Sequence, residues 1–190
     1  MSQRMPRSVL VGLLLLTLPT LGSVVIAQTF EELAKRSPLV VRASVGSTQS
    51  TWTEGNRTIE TWVEIQVTEV LKGKVSPGAT LLVRNPGGVV GNVGAHVAGA
   101  PKFTSGEDCL LFLEPAADAP NVWLVNGLSA GKVTFTKNEF GELRAIRDTR
   151  GISFYEKSDA PKPKLRQLEK PEDLGTPAEF LGRIKKAVAR

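Results

Sequence analysis

Between Thr58 and Val67 the side chains alternate without a break. Ile59, Thr61, Val63, Ile65 and Val67 fall on one parity, and Thr58, Glu60, Trp62, Glu64 and Gln66 on the other. A repeat of two sends the two sets to opposite sides of an extended chain, whereas an amphipathic helix needs apolar residues every three to four positions. The stretch is therefore a long strand with one face in a core and the other in solvent. The alternation slips at Glu69-Val70-Leu71, where a bulge lets a long strand bend, and Lys72-Gly73 ends it.

The partners of this strand are spread along the chain. Leu39 to Val45 has the β-branched content of a strand, and Ala79 to Arg84, a short piece around Ala95 to Ala98, Asp108 to Leu113, Val122 to Val125, Lys132 to Thr136 and Glu142 to Arg147 follow. Asn138-Glu139-Phe140-Gly141 turns the last two into a hairpin. Helix signals are confined to the ends. Thr29-Phe30-Glu31-Glu32 is a capping box for a helix that runs to about Arg36 and is stopped by Pro38. Thr176 as N-cap and Pro177 at the first helical position begin a second helix, with Phe180, Leu181, Ile184 and Val188 along one face. Many short strands between terminal helices predict an all-β fold: an OB-like barrel, closed or partly open, with a β-sandwich as the alternative.

Residues 1–27 read as a secretory signal peptide. Arg4 and Arg7 give a positive leader, Val9 to Val25 is largely apolar, and Val25-Ile26-Ala27 places small residues at a cleavage position. Pro19 and Gly22 interrupt the apolar run, which argues against a retained membrane anchor. Residues 28–155 then form the barrel domain, 156–175 a mobile linker rich in lysine and proline, and 176–190 an amphipathic helix that docks on the barrel. Arg183, Lys185, Lys186 and Arg190 cover the other face of that helix, so contact with a membrane surface is its alternative role.

Export narrows the chemistry. The leader holds two arginines and no acid, so its removal lowers the net charge from +5 to +3 and leaves only a mildly basic protein. Cys109 is the single cysteine, which excludes an intramolecular disulfide, and its place in the apolar run Cys109-Leu110-Leu111-Phe112-Leu113 predicts a buried, inert thiol. His96 is the single histidine, so a histidine-rich zinc site is excluded, and no acid or nucleophile close to it in sequence forms a relay. The glycine-rich stretch Gly87 to Gly94 lacks the lysine and serine of a phosphate-binding loop and is expected to supply turns of positive φ.

The order of Pro38 to Ala43, then Val63-x-Ile65-x-Val67-x-x-Val70-Leu71-Lys72-Gly73, then Phe103-x-x-Gly106-Glu107-x-x-Leu110-Leu111-Phe112-Leu113 resembles a group of uncharacterised exported bacterial proteins. More distantly, it resembles the netrin-type domain of the tissue inhibitors of metalloproteinases. That resemblance implies an OB-like barrel and, as one form of binding, a peptidase-inhibitor-like role. Those inhibitors begin with a disulfide-bonded cysteine whose amine reaches the zinc of the target. Here the expected mature chain starts at Gln28, so the inhibitory residues do not carry over.

The aromatic pattern marks a candidate binding face. If Thr53 to Arg57 connects a hairpin, Trp52 lies near Thr58 and Trp62 near Thr48, so both tryptophans share one largely polar face rimmed by Glu60 and Glu64. Such rings either contact a ligand or partner, or are covered by the terminal helix or the Arg150 to Tyr155 segment. The expected protein is thus a secreted or periplasmic binding module, without cofactor, metal or catalytic residues of its own, that recognises a protein or an extracellular ligand. Export and the lack of a basic-aromatic strand argue against nucleic acid. The alternatives are a secreted hydrolase whose acids come from distant segments and a polyanion-binding OB-like domain.

Overall fold

Residues 23–156 and 164–189 are described in the computed structural model. They run as β1 (Ser23–Ile26), α1 (Phe30–Arg36), β2 (Leu39–Trp52), β3 (Ile59–Lys72), β4 (Thr80–Pro86), β5 (Gly88–Val90), β6 (Val93–Ala95), β7 (Asp108–Pro115), β8 (Val122–Val125), β9 (Lys132–Lys137), β10 (Leu143–Arg147), β11 (Ile152–Glu156), β12 (Lys164–Gln167), β13 (Glu172–Asp173) and α2 (Pro177–Val188).

The alternating segment is β3. It pairs antiparallel with β2 on one side and β4 on the other, β8 adds to β4 in parallel, and β7 pairs with both β8 and β2. The ring β2-β3-β4-β8-β7 is a closed five-stranded barrel. Taken in chain order, these strands neighbour one another as first, second, third, fifth, fourth and first again, the connectivity of an OB-like barrel. The closed ring replaces the sandwich alternative. At the Asp108 end β7 leaves the barrel seam to pair with β9, and β10 and β13 extend the sheet outward from there.

Two cores explain the two kinds of apolar pattern. Inside the barrel, Val41, Ala43, Val63, Ile65, Val83, Cys109 and Leu111 form one cluster. Outside it, Val40, Leu110, Phe112, Val133 and Phe135 pack against Phe30 and Leu33 of α1 and Phe180 and Ile184 of α2. β2 and β7 serve both cores and are therefore apolar on consecutive residues, whereas β3 serves one from Ile59 to Val67 and alternates there. Its register against β2 shifts at Thr68, one residue before the expected slip, and at Leu71 within it. The extra residues turn Val70 into the barrel and Leu71 toward the helices.

Both capping boxes form, with Thr29 and Thr176 accepting from the amides of Glu32 and Glu179. The α2 helix docks on the barrel as expected, its apolar face covered by α1 and the sheet, and Lys185 reaches Glu69 of β3 at 2.6 Å. Lys72 Nζ donates to the Ala34 and Lys35 carbonyls, satisfying the end of α1. Among the described residues no helix is long and apolar enough to cross a membrane.

A second, three-stranded sheet of β1, β11 and β12 was not expected. Residues 1–22 of the leader lie outside the described residues, and Ser23 to Ile26 run parallel to β11 as β1. Of the stretch expected as a linker, residues 157–163 lie outside the described residues. The remainder is paired, β12 with β11 and β13 with β10, and Arg147 fixes Glu172 at 2.5 Å. The linker expectation is corrected there, because pairing and the buried arginine give the polar segment partners that its composition does not advertise.

Candidate binding face

The connection between β2 and β3 runs from Thr53 to Thr58 around a single turn of 3-10 helix at Glu54–Asn56, closed by the Thr53 amide donating to the Thr58 carbonyl at 2.9 Å. It is one residue longer than the expected Thr53 to Arg57. Trp52 consequently faces Ile59, and Trp62 faces Gln49. One residue of register reverses the face of a strand residue, so the two tryptophans do not share a face. This corrects the expected pairing. Trp52, 38% exposed, falls on the side of buried Ile59 and belongs to another surface.

Trp62, Glu60 and Glu64 stay together on the outer face of β3. Trp62 is half-buried, opposite Gln49 of β2 and Arg84 of β4. Its indole N–H donates to Thr51 Oγ1 at 3.2 Å, which fixes the ring and leaves no unmet polar atom on it. Glu64 accepts from Ser47 Oγ at 2.7 Å, and a hollow of about 310 Å³ lies among Ser47, Gln49, Trp62, Glu64 and Leu82. Glu60 borders a neighbouring hollow of about 430 Å³ with Arg84 and Glu114.

Arg84 and Asp118 form a two-pronged pair at 2.8 and 2.6 Å. The guanidinium holds the Asp118 carboxyl below its ordinary range, and hydrogen bonding to Asp118, reinforced by the nearby charge of Glu60, raises Arg84 further. Arg84 is thus paired with Asp118 and lies near the charge of Glu60, and neither Glu60 nor Glu64 forms an ion pair among the described residues. Neither helix contributes to the lining of the two hollows. Arg84, Gln49 and Asp118 were not found from the sequence. The signal for Arg84 is the β3–β4 register, which sets it opposite Trp62.

The other features take structural places. Cys109 is fully buried inside the barrel, and burial pushes its thiol up to about 12. Gly87, Gly88 and Gly91 all have positive φ, as the loop reading of the glycine-rich stretch expected, with the small β5–β6 hairpin in place of the strand expected around Ala95 to Ala98. His96 is exposed on the loop that follows this hairpin. Among the described residues no group of three or more histidine, cysteine, aspartate or glutamate side chains is placed to hold a metal ion. Compared with protein-family models and with curated proteins, the chain matches none.

Proposed function

We propose that the protein is an exported binding module that recognises a cationic segment of a partner protein on the outer face of β3 and β4. The observation that carries this reading is Trp62, a fixed ring with its N–H already bonded, between the carboxylates of Glu60 and Glu64, neither of them in an ion pair among the described residues. A lysine or arginine side chain laid on an indole face gains a cation–π interaction, and residues two apart on a strand bring a carboxylate within about 7 Å on either side. By analogy of fold, the face of the second and third strands is where OB barrels bind ligands. The acidic rim favours a cationic partner over the polyanion alternative. The charged leader and the Val25-Ile26-Ala27 junction support export, which places the partner in the periplasm or outside the cell.

Binding to immobilised lysine- and arginine-bearing peptides, compared with acidic peptides of equal length, tests the site. The native protein should prefer the cationic set, Trp62→Ala should weaken it at least about tenfold, and Trp52→Ala should leave it unchanged. Preference for the acidic set, or full binding by Trp62→Ala, overturns the reading. Export is tested by the intact mass of protein from a native-like host, which should begin at Gln28. A retained Met1 removes the compartment argument.

A further inference from the structure

On the opposite parity to Trp62, at the barrel mouth, the long connection from β6 to β7 arches over a cavity of about 510 Å³. Its walls come from four separate segments: His96 to Thr104 of the connection, Glu107 beside β7, Ser129 to Thr134 around the start of β9, and Asp148 to Gly151 before β11. The arch is fastened at several points. Asn85 Nδ2 donates to the Pro101 carbonyl at 3.0 Å, the Ser129 amide to the Gly99 carbonyl at 2.9 Å, and the Gly106 amide to the Val45 carbonyl at 2.8 Å. Gly99 has φ +77°, and a Cβ there would stand 2.6 Å from Ile152, so the close approach depends on glycine. The cavity is preformed rather than opened by a ligand.

Its polar groups are unbalanced. Glu107 accepts from Lys132 and from Thr134 on one carboxylate oxygen, and from the Thr104 amide at 3.0 Å on the other. Asp148 accepts from Arg150 Nε at 2.9 Å and from its Nη2 at 2.6 Å. Both acids in the lining are therefore paired with a cation, and each accepts three hydrogen bonds of about four that a carboxylate can take. The donors are not used up. A lysine ammonium has three N–H groups and a guanidinium five, and the bonds to protein engage two on Lys132 and two of the side-chain donors on Arg150. Lys102 adds a second exposed cation, and Ser129, 7% exposed, has a buried hydroxyl with no hydrogen-bond partner.

We propose that this cavity binds a small organic oxyanion, a carboxylate or a phosphate ester. Lys102 and Arg150 would attract it at the rim, and Lys132 and Ser129 would hydrogen-bond its oxygens within. Lys132 is suited to that place: its side chain is 9% exposed, it lies over the Phe103 ring at 5.2 Å, and its pairing with Glu107 fixes its direction. A charged group set back from bulk solvent binds an opposite charge more strongly than one on the surface does. The site is distinct from the Trp62 face: Pro101 borders both this cavity and the hollow beside Glu60, but none of the charged or hydroxyl groups that would hold the oxyanion lines that face.

Isothermal titration of the full chain with citrate and, separately, with glycerol 3-phosphate tests it and distinguishes the two oxyanion sources. Saturable binding of one or both is expected. The double variant Lys102→Gln/Arg150→Gln, confined to exposed rim positions, should weaken that binding at least about tenfold, while Lys35→Gln/Lys186→Gln, the same loss of two charges at exposed positions of α1 and α2, should not. Ser129→Ala should weaken it roughly threefold or more without lowering the melting midpoint, because it removes a hydroxyl that bonds nothing in the protein. Failure of both probes to bind at 10 mM, ~the level of the weakest useful site, overturns the proposal. So does equal weakening by Lys35→Gln/Lys186→Gln, which would mark a diffuse charge effect, or binding untouched by the rim variant.

Discussion

Replacing Phe180 by alanine should be among the most damaging single changes in the protein, although the residue lies ten positions from the C-terminus. Phe180 is fully buried and meets Phe30 edge to face, with ring centroids 4.9 Å apart. It belongs to the outer core with Phe112, Val133, Leu33 and Ile184, so one ring joins both helices to the sheet. Burial of about 150 Å² of apolar surface at ~25 cal/mol per Å² is worth about 4 kcal/mol, within the roughly 3–5 kcal/mol measured for such truncations. In a domain of this size that corresponds to a fall in melting midpoint of about 8–16 °C. The assay is thermal unfolding followed by far-ultraviolet circular dichroism, with Phe140→Ala, 79% exposed at the β9–β10 turn, as the control expected to change little. Truncation before Thr176 should cost at least as much. A shift below about 3 °C for Phe180→Ala would mean that α2 is not part of the cooperative unit, and the argument from the outer core would fall with it.

Two further outcomes follow from burial and from charge. Cys109 should not react with an aqueous thiol reagent at pH 8 until the chain unfolds, because burial removes access and holds its thiol up to about 12, and Cys109→Ser should cost roughly 1–3 kcal/mol; rapid labelling of the native protein refutes this. Hydrogen bonds from Arg84, Arg150 and Arg144 lower Asp118, Asp148 and Asp173 below their ordinary values. Since these groups bind protons less readily folded than unfolded, their contribution is present above the unfolded value of about 4 and is lost as the pH falls through the folded values. The melting midpoint of Arg84→Gln/Arg144→Gln/Arg150→Gln should therefore approach that of the native protein between pH 4 and pH 2 (roughly the window of these carboxyls), and an equal gap at pH 6 and pH 2 refutes the linkage.

How far the fold was legible depended on whether a pattern was local. β3 announced itself because one face meets a core and the other meets water, and both capping boxes rest on residues three apart. The runs Leu39 to Val45 and Cys109 to Leu113 were recognisable as strands, yet the reason for their continuous apolarity, a core on each side, required knowing where the helices dock. β12 and β13 were hidden by composition, since their stability comes from β11, β10 and Arg147 rather than from their own side chains. The binding face was legible in part. Trp62, Glu60 and Glu64 followed from parity within one strand, while Trp52 depended on the length of the connection at Thr53 to Thr58, where a single residue decides the face.

The location of both proposed sites follows from what the rest of the barrel must cover. The interior is filled by Val41, Ile65, Val83 and Leu111, and the outer side of β2, β7, β9 and β10 is closed by α1 and α2. That leaves the outer face of β3 and β4, and the barrel mouth beneath the β6–β7 connection. On the first, Trp62 lies with the carboxylates of Glu60 and Glu64, neither of which forms an ion pair among the described residues. At the second, Lys132 is buried beside a carboxylate partner that also accepts from Thr134 and the Thr104 amide, with further cations at the rim. The two surfaces therefore select opposite charges. A polar residue in either place carries no duty to the core, because the core is complete without it, and its retention of unmet charge or donors is open to use by a ligand. Neutralising Glu60 and Glu64 should accordingly weaken only the cationic peptides, and removing Lys102 and Arg150 only the oxyanion; loss of both activities from either change would show that one electrostatic field, rather than two sites, governs binding.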